Sequence, residues 1–168
     1  AYTDYVEGIY VGYKWYETAD KEGLWNDVNN EFGKGYDGVV QYPFGYGLSY
    51  TSFKWSNYKV EKKEDNEYEV SVDVTNTGKV EGKDVVELYL QKPYTEYDKQ
   101  NNIEKASVEL VGFDKTKLLQ PNEKEEISIF VENELFKTYD SYGYKTYILE
   151  DGDYYLSIGC LLYTSDAA

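Results

Sequence analysis

Between residues 68 and 75 the chain alternates without a break: Tyr68, Val70, Val72 and Val74 fall on one side, Glu69, Ser71, Asp73 and Thr75 on the other. A period of two is the repeat of an extended strand, whose successive side chains point to opposite faces, so this stretch reads as a strand with one apolar and one solvated face. The same alternation returns in Val86, Leu88 and Leu90 within residues 83–91, and again in Ile127, Ile129 and Val131. Such half-buried strands point to an antiparallel sandwich, in which two sheets cover each other's apolar faces.

Further short segments fit that reading. Residues 52–60 and 108–113 are candidate strands, Asn76, Thr77 and Gly78 form a turn, and Leu118, Leu119 and Pro121 lead into another at Asn122. Residues 93–104 are polar and charged and read as a surface loop. Residues 133–142, with Leu135 and Phe136, read as a crossing turn between sheets. Residues 145–149 are expected to pair with 153–158 across Glu150, Asp151 and Gly152 as a hairpin. About seven strands with turns every 8 to 12 residues is the count of an antiparallel β-sandwich.

The chain before residue 52 follows different rules. QYPFGYGLSYT, residues 41–51, sets Tyr42, Phe44, Tyr46 and Tyr50 among a proline and two glycines. Pro43 fixes its own φ and drives Tyr42 toward extended geometry, while Gly45 and Gly47 allow angles closed to other residues, so regular structure is expected to pause. Phe44, Tyr46, Leu48 and Tyr50 lie two apart and are expected to face one side, as in a connector buried between domains. Upstream, residues 1–17 are aromatic and β-branched and favour extended or irregular structure with room for a helical turn. Leu24, Trp25 and Val28 are spaced like one face of a short helix within residues 18–30, and FGKGYDG over residues 32–38 reads as loop.

Composition narrows the partners. Thirty-two acidic against 17 basic residues give a formal charge of -15, which repels nucleic-acid phosphates and anionic lipid headgroups. No apolar run approaches the roughly 20 residues that span a bilayer. With no histidine, the chain holds no Ser-His or Cys-His nucleophile pair and no imidazole metal site. Its single cysteine, Cys160, has no internal disulfide partner. The chain also lacks methionine and begins at Ala1, which reads as the interior of a longer protein.

Five phrases, in order, resemble one family. YVEGIYVGYKWYE, YPFGYGLSYT, VDVTNTGKVEGKDVVELYL, ELVGFDKTKLLQPNE and EDGDYYLSIG are similar to the C-terminal portion of glycoside hydrolase family 3, the β-glucosidase and β-xylosidase family. The resemblance implies a mainly β chain: residues 1–41 as the tail of an α/β sandwich domain, 42–51 as an interdomain connector, and 52–159 as a fibronectin type III-like domain. It implies as partners a (β/α)8 barrel and the rest of the α/β sandwich, and as substrate a β-linked glycoside cleaved with retention. Retention needs two carboxyl groups about 5 to 5.5 Å apart. The family places the aspartate nucleophile on the barrel and the glutamate acid/base usually on the second domain. Neither motif occurs here, so the expectation is no catalytic, cofactor or metal residue in this chain and no activity from it alone. The alternative is a free-standing carbohydrate-binding or adhesion module.

Individual residues have two readings each. Glu7, inside a family phrase, reads as a catalytic carboxylate or as a carboxylate that fixes the last elements of the α/β domain, and the second is favoured; Asp4 and Glu17 are weighed likewise. Tyr42, Phe44, Tyr46, Tyr50, Trp15 and Trp25 could stack on sugars, with interdomain packing favoured. Glu150, Asp151 and Asp153 could bind calcium but lack the spacing of an EF-hand loop, so a solvated turn is favoured. The loop 93–104 reads as solvent-facing or as leaning over a neighbouring active site. CLLYTSDAA, residues 160–168, departs from the family pattern and looks like translated sequencing-adapter read-through.

Overall fold

The computed structural model of the chain describes residues 2–4, 6–64 and 67–159; the tail 160–168 lies outside them. Eight strands are present among these: β1 Phe53–Lys62, β2 Glu67–Asn76, β3 Val85–Gln91, β4 Glu109–Lys115, β5 Lys124–Glu132, β6 Thr138–Tyr139, β7 Tyr147–Ile148 and β8 Tyr155–Gly159. The described residues also form two α-helices, α1 Tyr13–Lys21 and α2 Glu96–Asn101, and short 3-10 turns at Gly35–Gly38 and Asn133–Phe136. The fold is mainly β, and every strand pair is antiparallel.

One sheet runs β1-β2-β5 and the other β4-β3-β8. The alternation seen in sequence builds the space between them. Val70, Val72 and Val74 of β2, Val86, Leu88 and Leu90 of β3, and Ile127, Ile129 and Val131 of β5 form one buried cluster, closed by Leu119 and Phe136. Within the first sheet Val70 stands opposite Ile129 and Val72 opposite Ile127, so β-branched side chains meet in cross-strand pairs. Gly112 lets the sheets approach: a Cβ there would lie 2.6 Å from Ile129 Cγ2. Each enclosed Val or Leu contributes about 1.5–3 kcal/mol relative to exposure.

The polar faces are also committed. Asp73, opposite in direction to Val72 and Val74, accepts from Asn57 Nδ2 at 2.6 Å and Lys124 Nζ at 2.8 Å. Asn57 has φ 58 at the bulge in β1. β1 is an edge strand, and Lys54, Lys59, Glu61 and Lys62 along it oppose edge-to-edge pairing with another chain.

Three expectations need correction. The segment 145–149 does not form a hairpin with 153–158: β7 pairs with β6, and β8 pairs with β3. Between them Glu150 is held in place, its backbone by the Tyr154 hydroxyl and its side chain by Lys105. The N-terminal helix lies at Tyr13–Lys21, earlier than Leu24, Trp25 and Val28. Gly23, at φ 79, ends it, with Gly23 N donating to Asp20 O and Leu24 N to Ala19 O, the paired bonds of a Schellman terminus. The loop 93–104 contains α2, and its Asp98 and Ile103 are buried.

Candidate functional site

α1 has nine residues, no side-chain cap and no acidic residue in its first turn, so it is marginal by itself. Tertiary bonds to residues 105–110 hold it. Ser107 N donates to Thr18 Oγ1 at 2.9 Å, and Leu110 N donates to the Tyr13 hydroxyl at 2.8 Å. Lys14 Nζ reaches Glu109 Oε1 at 2.9 Å, while Lys92 reaches the other oxygen of Glu109 at 3.1 Å. Tyr10 adds a bond from its hydroxyl to Lys105 O.

The three weighed N-terminal carboxylates separate. Asp4 and Glu7 are exposed. Glu17 is buried and accepts from the Tyr36 hydroxyl at 2.5 Å; burial pushes its carboxyl up from the usual glutamate value, and the Tyr36 bond only partly counters this. Glu17 thereby anchors the 3-10 turn at Gly35–Gly38 to α1. Trp15 and Trp25 meet edge to face at 6.5 Å, beside a bond from Trp25 Nε1 to Tyr16 O.

The connector does not present its aromatics to one side. A turn closed by Tyr46 N donating to Pro43 O, with Gly45 at φ 83, folds it back. Tyr42 and Tyr46 therefore meet at 4.8 Å, while Phe44 turns to Tyr13 of α1 at 4.5 Å. Beyond the turn Leu48 is 92% exposed and Tyr50 fully exposed. The connector's end is then fixed: Thr51 Oγ1 donates to Asn76 Oδ1 at 2.7 Å. Asn76 is wholly buried, and its amide nitrogen donates to Val80 O and Leu119 O at 2.8 and 2.9 Å. A shallow cavity beside the connector is bounded by Leu48, Phe53, Trp55 and Asp84. Trp55 Nε1 donates to Asp84 Oδ2 at 2.6 Å, and burial raises the Asp84 carboxyl.

The segment 93–104 closes over an ion cluster that no sequence pattern marks. Lys105 Nζ, nearly enclosed, meets Asp98 Oδ2 at 2.6 Å, the Glu150 carboxylate and Pro93 O at 2.9 Å. Asp98 also accepts from Thr95 N at 2.7 Å in a capping box that starts α2. Glu150 is thus occupied by Lys105 and by Thr95 Oγ1, in contrast to the solvated turn expected for it; Asp151 and Asp153 are exposed as expected. Among the described residues no group of three Asp, Glu, His or Cys side chains is arranged to hold a metal ion. The Thr95-x-x-Asp98 pattern is the signal that could have located α2 from sequence.

A family profile for the Fibronectin type III-like domain matches residues 84–160. The chain is 37% identical over 175 residues to beta-glucosidase A of Butyrivibrio fibrisolvens, covering 94% of this chain and 19% of that protein. It is 33% identical to thermostable beta-glucosidase B of Acetivibrio thermocellus, covering 93% of this chain and 18% of that one. Its fold matches the crystal structure of the Bifidobacterium adolescentis GH3 beta-glucosidase with a TM-score of 0.73 and 29% identity, over 95% of this chain and 20% of the other. The chain therefore spans about a fifth of the length of these relatives. The five ordered phrases, the sandwich and these likenesses agree: the chain belongs to glycoside hydrolase family 3, as the C-terminal portion that carries its fibronectin type III-like domain.

Proposed function

We propose that this chain is the non-catalytic C-terminal portion of a retaining β-glycosidase of the β-glucosidase kind, and that it shapes and stabilises the catalytic domains to which it is joined. In this reading residues 1–41 complete an α/β sandwich domain, residues 42–51 are the seam, and residues 52–159 are the fibronectin type III-like unit. The substrate is a β-linked glycoside, bound and cleaved on the barrel, and no residue of this portion supplies the nucleophile or the acid/base. The carrying observation is the connector, whose Leu48 and Tyr50 project into solvent from a segment anchored at both ends, by Phe44 on Tyr13 and by Thr51 on Asn76. Exposed apolar groups on a fixed segment mark a surface that meets another domain.

The test compares the 168-residue chain alone with the same chain joined to its upstream reading frame, using nitrophenyl β-glucoside and β-xyloside. No release is expected from the chain alone. Release is expected from the joined protein, and Leu48→Asp with Tyr50→Asp is expected to lower that protein's melting temperature. Turnover by the 168 residues alone would overturn the reading.

A further inference from the structure

A second concavity lies between α2 and the two loops that flank β7. It is a groove of about 540 Å³ lined by Thr95, Glu96, Tyr97, Tyr144, Leu149 and Asp151 with their neighbours, and clefts of about 300–1,000 Å³ are the usual size for small-molecule sites. Tyr97 and Tyr144 are nearly parallel in it, 14° apart with ring centroids at 6.1 Å. Tyr144 remains 74% exposed, yet the loop bearing it is rigidly built. Asp140, wholly buried, accepts from Gly143 N and Tyr144 N at 2.7 Å each and from the Tyr97 hydroxyl at 2.7 Å. A Cβ at Gly143 would stand 2.5 Å from Asp140 Oδ2 and 2.6 Å from the Tyr97 hydroxyl, so a side chain there would push this bonded pair apart. The opposite wall is equally set, since Thr95 is bonded to Glu150 and Glu150 to Lys105.

The chemistry of the groove selects its ligand. Asp151 and Glu96 are exposed, Glu96 with one oxygen paired to Lys99 Nζ at 2.6 Å and the other open, and in a chain of net charge -15 they disfavour phosphates and carboxylates. An ammonium cage needs rings facing inward around the cation, whereas these two rings lie nearly parallel to each other and Tyr144 stays largely exposed. A flat aromatic face carries partial negative charge and suits the C–H face of a sugar ring, while carboxylates accept from its hydroxyls. We propose that this groove binds a neutral pyranoside, one sugar ring stacked on Tyr144 with hydroxyls donating to Glu96 and Asp151. The site is separate from the non-catalytic role above and is read by binding, not turnover, so either can fail without the other.

The test is a titration of the 168-residue chain with cellotetraose, followed by amide chemical shifts. Shifts are expected at Gly143, Tyr144 and Leu149, with Tyr144→Ala weakening binding about tenfold, a loss of about 1.4 kcal/mol. Tyr144→Phe is expected to keep binding because the ring face remains, and Tyr142→Ala, in the same loop but outside the lining, is expected to be neutral. Unchanged shifts of the Val72 and Leu88 amides in each variant report an intact fold. Absence of shifts in the groove at about 10 mM sugar, where millimolar affinity is already visible, overturns the proposal. So does equal binding by Tyr144→Ala, or displacement of the sugar by choline.

Discussion

Val74, Val86, Leu88 and Leu90 of the sandwich have no measurable exposure, whereas among the described residues before residue 52 only Glu17, Ala19 and Tyr36 are buried. Both regions are rich in apolar side chains. In the sandwich, two sheets enclose them, and cohesion scales with the area removed from water. Before residue 52 the aromatics meet in pairs, and the region is fastened by discrete polar bonds, Tyr13 to Leu110, Lys14 to Glu109 and Thr18 to Ser107. A perturbation in the first region is therefore global, and one in the second is local.

The largest effect tests the first half of that contrast. Leu88→Ala removes a fully enclosed side chain and is expected to cost about 3 kcal/mol, seen as a fall in the urea midpoint at unchanged slope. Leu48→Ala, at a site 92% exposed, is expected to stay within about 0.5 kcal/mol. Similar costs at the two leucines would break the comparison.

Asn76 is the joint between the regions, and its effect comes next. Asn76→Ala leaves the Val80 and Leu119 carbonyls without the amide donor and the Thr51 hydroxyl without its acceptor, inside the protein, where an unmet polar group costs about 1–3 kcal/mol. The expected loss is about 2 kcal/mol in the same urea titration. It is accompanied by faster exchange of the Gly78 amide, which Asn76 Oδ1 now holds at 3.0 Å. A loss without that local change would mean Asn76 acts only as core volume.

These two residues also show how far the sequence could be read. Leu88 announces its burial through period-two alternation, because a strand's geometry converts sequence spacing directly into a face. Asn76 reads only as a turn residue, since its four partners lie at Thr51, Gly78, Val80 and Leu119 and depend on how the turns of both sheets converge. The buried Lys105, Asp98 and Glu150 cluster was hidden for the same reason: residues 45 apart in sequence meet through tertiary placement, and their charged composition suggests solvent. The end of α1 was legible in principle from Gly23, but aromatic density over residues 1–17 masked its start.

Tyr13→Phe isolates the second half of the contrast. It removes the acceptor for Leu110 N while keeping the ring that packs on Phe44, at an expected cost of about 1 kcal/mol. The outcome is read by hydrogen exchange: α1 amides are expected to exchange faster, through local opening, with β2, β3 and β5 protection unchanged. Uniform loss across both regions would show that they unfold as one unit.

The smallest effects are expected from pH, and they differ in sign between the regions. Asp140, in the loop joining β6 to β7 beyond residue 52, is held down to about 2, first by the Tyr144 backbone donor and then by the Tyr97 hydroxyl and Gly143, from the ordinary value of 3.8. A depressed carboxylate contributes stability that is complete above its unfolded value and is lost as pH falls from 3.8 toward 2. Glu17 before the connector is raised above 4.5 by burial, so its contribution is complete below 4.5 and is lost as pH rises through its folded value. Acidification from neutrality to pH 4.5 is therefore expected to tighten α1 against Tyr36 while the Asp140 loop stays unchanged, and further acidification to loosen that loop. Amide protection at Ala19 and Tyr144, measured in urea at each pH and corrected for intrinsic exchange, separates the two. Glu17→Gln is expected to flatten the first profile and leave the second, because the amide still accepts from the Tyr36 hydroxyl but carries no titrating proton. If Glu17→Gln moved both profiles together, the N-terminal segment and the sandwich would share one titration, and their separation into two regimes would not hold.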